Sequence, residues 1–255
     1  MNLKPQITTS IIAMLIMLVL YTLTMMGYMG DNPIGQPTTY NDPLVVPAGY
    51  AFSIWSIIYL AMIVFPIYHW FKRPQGHALW KKVHRLYAMN IIANGLWLVC
   101  ASYSWQIMTV IIILFMLYTL YTINELLIQI AKEEKPQNYW LEHIGFSLYF
   151  AWITLASALN ISTALAFYGF DGFGISEVIW SIVFIAVVVF IAGMVFMKYR
   201  DRAYAGVVIW AFIALTIKQI DAYPMIGYMS IAVIVVFAGL IIFRGEAVRP
   251  KLVST

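Results

Sequence analysis

Apolar residues recur along this chain in unbroken runs of roughly 20, the length an α-helix needs to cross about 30 Å of hydrocarbon. Such runs lie at about 8–28, 48–70, 86–103, 106–130, 143–167, 175–197, 203–220 and 223–243. Their continuity argues for helices, because the strands of a membrane barrel alternate apolar and polar residues over about ten positions. Composition agrees: 63% of residues are hydrophobic and 10% charged, with a mean hydropathy of +0.84. A chain with so few charges cannot coat a water-facing globule. The expectation is an all-α, polytopic membrane helix bundle of about eight transmembrane helices, without a soluble domain. The first run is followed by no small-residue cleavage site, so it reads as a retained span rather than a signal peptide.

The basic residues give the orientation. Lys4 precedes the first run; Lys72, Arg73, Lys81, Lys82 and Arg85 lie between the second and third. Lys132 and Lys135 lie between the fourth and fifth, Lys198, Arg200 and Arg202 between the sixth and seventh, and Arg244, Arg249 and Lys251 after the eighth. Fourteen of the 15 Lys and Arg residues thus fall on one side, and Lys218 alone departs. The opposite connections carry Asp31, Asp42, Asp171 and Asp221. Short loops rich in Lys and Arg stay in the cytoplasm, which places both termini there. An error of one span would scramble the pattern. The net charge of +4 is therefore an orientation signal rather than a sign of nucleic-acid binding, and no nucleic-acid partner is expected. The expected location is a bacterial-type plasma membrane.

Cys100, the one cysteine, sits in an apolar run and excludes an internal disulfide or a cysteine metal cluster. His69, His77, His84 and His143 lie near the basic inner connections without metal-ligand spacing, and read as solvated loop histidines. Trp70, Trp80, Trp105, Trp140 and Trp180 sit near run ends, where indoles anchor at the membrane interface. Lys218 and Asp221 are close enough on the seventh run to form an ion pair. The outer segment from Gly30 to Pro47 carries Pro33, Gly35, Pro37, Pro43 and Pro47 and cannot be a regular helix. Segments of this kind cover cavities.

Immediately after that segment comes Pro47-Ala48-Gly49-Tyr50-Ala51-Phe52-Ser53-Ile54-Trp55-Ser56-Ile57-Ile58-Tyr59. Two further stretches follow: Asn90-Ile91-Ile92-Ala93-Asn94-Gly95-Leu96-Trp97, and Tyr149 to Asn160 with Trp152 and Ala156-Ser157-Ala158-Leu159-Asn160. In this order, on the second, third and fifth runs, they resemble the signatures of the TspO/translocator protein family, the tryptophan-rich sensory proteins or peripheral benzodiazepine receptors. Tyr50 stands where the family has Trp. The resemblance implies a TspO-like five-helix membrane unit over residues 1–167, with three additional helices and a short cytoplasmic tail over 168–255. It further implies a ligand that is a porphyrin, another tetrapyrrole or a sterol-like lipophile, with membrane lipid as a second partner and a homodimer left open.

Helical spacing puts Trp55 and Tyr59 on one face of the second run, Asn90, Asn94 and Trp97 on one face of the third, and Tyr149, Trp152, Ala156 and Asn160 on one face of the fifth. Aromatic faces with a few amides suit a flat apolar ligand, since rings supply dispersion and amides fix orientation. These nine residues are the candidate ligand-binding set. The same residues can also serve packing alone, with the amides bonding between helices. No acid, base, nucleophile or metal set demands an enzyme, and no cofactor is required. The reading from a different class is a secondary transporter or permease for a small solute, but no second half mirrors the first as such folds require.

Overall fold

A computed structural model describes residues 3–31, 42–72, 78–133 and 138–245. Expectations resting on Pro33, Gly35, Pro37, Arg73, His77, Lys135, Arg249 and Lys251 lie outside these residues. The described chain is helical without a strand: α1 Lys4–Met25, α2 Ile54–Lys72, α3 Leu79–Ser102, α4 Gln106–Glu133, a short α5 Tyr139–Glu142, α6 Ile144–Phe167, α7 Glu177–Tyr199, α8 Arg202–Gln219 and α9 Pro224–Arg244. The eight long helices coincide with the eight apolar runs, so the chain is a polytopic helical membrane protein. Six of them, all but α3 and α8, are long and apolar enough by themselves to cross a bilayer. In α3 the first turns carry Lys81, Lys82 and Arg85, and α8 has only 18 residues with Arg202 at its start.

Local chemistry sets the helix ends. Pro residues open α1 and α9, where the missing N–H has no intrahelical partner to lose. Ser176 caps α7 by accepting from the Ile179 N–H, and Asp201 caps α8 by accepting from Ala203 at 2.8 Å. Between these two helices the chain reverses at Arg200, whose φ of 52° is left-handed. The link between α3 and α4 is equally tight: Ser104 takes a φ of 56° and Trp105 N–H donates to the Cys100 carbonyl at 2.9 Å. Tyr103 and Trp105 stack there, and both are exposed, as interfacial rings should be.

The helices gather into two compact units. The first holds residues 3–31, 55–72, 78–133 and 138–150, in which α3 packs against both α1 and α4. The second holds residues 42–54 and 151–245, in which α8 packs against α9. In this second unit the described end of the outer segment is pinned to α8. Gln219 Nε2 donates to the Leu44 carbonyl at 2.6 Å, Ala48 N–H to Ala214 at 3.2 Å, and Trp210 Nε1 to Ala51 at 3.1 Å. The Tyr50 ring meets Trp210 edge-to-face at 5.3 Å.

Candidate functional site

In the first unit, Trp55 and Tyr59 project from α2 one turn apart, with ring centroids 5.1 Å apart. Tyr149 of α6 meets Trp55 edge-on at 5.7 Å, and Tyr21 of α1 meets Tyr59 at 5.6 Å. Behind these rings lies Asn94 of α3, fully buried, whose Oδ1 accepts from the Tyr59 hydroxyl at 3.0 Å. The Asn94 side chain and the Tyr149 hydroxyl are buried and face one another, but neither Asn94 Nδ2 nor that hydroxyl makes a well-formed hydrogen bond. A buried amide left unpaired costs about 1–3 kcal/mol. Polar capacity is therefore held in reserve inside an aromatic cluster.

Asn90 also leaves one amide atom, Oδ1, buried without a hydrogen-bond partner, but it commits the other between helices. Its Nδ2 donates to the Met116 carbonyl at 3.0 Å and to Thr119 Oγ1 at 2.7 Å, tying α3 to α4. Trp97 is half-buried on the next turn of α3 beyond Asn94.

In the second unit, Trp152 is buried and meets Phe52 edge-to-face at 5.5 Å. Ala156 is buried one turn on, and its carbonyl accepts from Asn160 Nδ2 at 3.1 Å within the same helix. Trp152 also lines an apolar cavity of about 40 Å³ together with Val45, Pro47, Leu155, Phe184 and Phe212. A volume that small admits a few water-sized groups, whereas drug-sized ligands occupy several hundred Å³. In the first unit a wider apolar groove of about 660 Å³ runs between α1, α3 and α4, past Ala13, Ala93 and Phe115. None of the nine candidate residues lines it. Trp55, Tyr59, Asn94 and Tyr149 are thus brought together in one unit, and Trp152, Ala156 and Asn160 belong to the other.

Several readings of the sequence need correction. His69, His84 and His143 are buried rather than solvated. Trp80 is buried too, its ring edge-on to His69 at 4.5 Å instead of at the interface. Both changes have one cause: the inner ends of α2 and α3 face each other, so aromatic and imidazole rings beside a basic loop turn inward. The ionic partner of Lys218 is Asp42 of the outer segment, at 4.0 Å, and not Asp221. Both groups are partly exposed, and such a pair contributes little.

Against known proteins, a model of the family described as TSPO-like protein matches residues 6–243. The chain belongs to the TSPO-like protein family. The match extends through α9, so helices beyond residue 167 in this TSPO-like protein fall within the family's pattern too. No curated protein and no solved structure is detectably similar to it.

Proposed function

We propose that this TSPO-like protein binds a flat lipophilic ligand of the tetrapyrrole or sterol-like class inside the membrane, and carries or senses it. The observation that carries this reading is the ring cluster of Trp55, Tyr59 and Tyr149 around a buried Asn94 whose Nδ2 makes no well-formed hydrogen bond. Rings give contact area to a flat molecule, and one amide donor orients a carboxylate or carbonyl at its edge. Family membership supports the same class of ligand, and a plasma membrane is the location it would serve from.

A protoporphyrin titration of the detergent-purified protein, followed by Trp fluorescence, tests the reading. Saturable quenching is expected, weakened by Trp55→Phe and by Tyr149→Leu, both changes lying in the first-unit cluster. Asn94→Ala, which removes one hydrogen bond of about 1–1.5 kcal/mol, should weaken binding roughly 5- to 12-fold. Non-saturating quenching, or variants indistinguishable from the parent protein, would reject it.

A further inference from the structure

We propose that Ser10, His84, His69 and Glu142 form a proton-binding site, a hydrogen-bonded chain that takes up one proton from the inner side and reverses its direction in doing so. The four side chains come from α1, α3, α2 and α5, all in the first unit, and all are buried. Ser10 Oγ lies 2.9 Å from His84 Nδ1, His84 Nε2 lies 2.9 Å from His69 Nδ1, and His69 Nε2 lies 3.0 Å from Glu142 Oε1. The other carboxylate oxygen accepts from the Asn138 N–H at 2.7 Å. One pair of ring nitrogens faces each other and the outer two face Ser10 Oγ and Glu142 Oε1, so the four do not converge on a point. Among the described residues no such group is arranged to hold a metal ion.

Donor and acceptor capacities allow two complete states. With Glu142 ionised and both imidazoles neutral, Ser10 O–H donates to His84 Nδ1. His84 Nε2–H then donates to His69 Nδ1, and His69 Nε2–H to the carboxylate. With one proton more, His69 Nδ1–H donates to His84 Nε2, and His84 Nδ1–H donates to Ser10 Oγ. The Ser10 hydroxyl then turns to a carbonyl, and two stand ready: Gln6 at 3.1 Å and His84 at 3.2 Å. Whether the added proton rests on His69 Nε2 or on Glu142 Oε1 makes no difference to the rest of the chain. Every linking hydrogen bond is made in both states, so neither suffers the penalty of an unpaired buried group.

Loading changes the net charge of the chain by one. The unloaded chain carries a buried carboxylate, and the loaded chain is a neutral imidazolium–carboxylate pair or its proton-shifted equivalent. Other ionisable groups among the described residues lie around it. On α2, Lys72 is exposed, bonds Tyr68 at 2.6 Å and senses Glu142 electrostatically; it marks the Glu142 end as the one nearest water. His143 follows Glu142, stacked on Tyr139 of α5 at 6.1 Å. Tyr87 of α3 is committed to the Met62 carbonyl at 2.7 Å, while α6 contributes Phe146, which packs on Phe65. At the α1 end the groups beyond the Ser10 hydroxyl are the Gln6 and His84 carbonyl oxygens, which cannot keep a proton. The chain therefore stores a proton and does not conduct one onward.

The test is histidine-selective nitrogen labelling of the full chain in lipid nanodiscs, with ring-nitrogen shifts assigned through His77→Gln and His143→Gln. Between about pH 5 and 9, where histidine switches operate, His84 should move from an Nδ1–H to an Nε2–H tautomer as pH rises. That change should share one midpoint with deprotonation of the His69–Glu142 pair. Glu142→Gln removes the favourable charge and should lower the midpoint by about one pH unit or more. A His84 tautomer constant across the range, separate midpoints for His84 and His69, or a midpoint unmoved in Glu142→Gln would each overturn the proposal. The tautomer measurement on the unaltered protein decides even if Glu142→Gln does not fold.

Discussion

Two asparagines one turn apart on α3 serve different partners. Asn90 gives its amide hydrogens to α4, whereas Asn94 accepts from Tyr59 of α2 and turns Nδ2 toward Tyr149 beside the rings of the candidate site. Asn90→Ala should therefore lower stability by about 1–2 kcal/mol, the range of interhelical hydrogen bonds in membranes, and leave ligand affinity within about twofold. Asn94→Ala should weaken binding and also lower stability by about 1–2 kcal/mol, because it strips the part-buried Tyr59 hydroxyl of its acceptor. Ligand affinity in Asn94→Ala within about twofold of the parent protein would make Asn94 a packing residue. The sequence offered these two side chains as equals, since both lie on one helical face. What distinguishes them is Thr119 and the Met116 carbonyl on α4, and no local pattern on α3 points to those partners.

Helices were legible where length and hydropathy alone decide them, and the links between neighbours were legible from spacing, as with the three residues joining α3 to α4. What escaped was short or distant in sequence. Glu142 lies on a four-residue helix that no apolar run signals, and its bond to His69 joins positions 73 apart. One clue was present: His69 lies one turn beyond Phe65 on the buried face of α2, where a solvated side chain would be out of place. Gly145 marks a second long-range contact, between α6 and α2. A Cβ there would stand 2.7 Å from the Ala61 Cβ and 2.8 Å from the Met62 Cε. Met62 can move, but Ala61 has no freedom short of shifting its helix. Gly145→Val should cost about 1–3 kcal/mol through overpacking, with Gly145→Ala at the lower end of that range, measured as loss of folded protein on heating in detergent. No change in either variant would mean that α2 and α6 tolerate separation.

Eight crossings and six self-sufficient spans can be reconciled only if α3 and α8 cross the membrane with help from their neighbours. Both have that help: α3 packs against α1 and α4, and α8 against α9. Contacts of this kind hide polar groups such as Asn90, Asn94 and Gln219, which lower the hydropathy of their helices but never meet lipid. The charge pattern makes the same demand. If α3 did not cross, Lys81, Lys82 and Arg85 would share a side with the loop at Tyr103 to Trp105, and every later basic cluster would change sides relative to Lys4. Labelling with a membrane-impermeant maleimide tests this in a Cys100→Ala background. Trp105→Cys and Ala222→Cys should react from outside intact cells, while Lys82→Cys and Lys198→Cys should react only after the membrane is opened. If Lys82→Cys and Trp105→Cys react from the same side, α3 is not a span; the corresponding result for Lys198→Cys and Ala222→Cys would remove α8. Either outcome would place the Glu142 end of the buried chain or the Lys218–Asp42 pair on the wrong face for the roles argued from the charges.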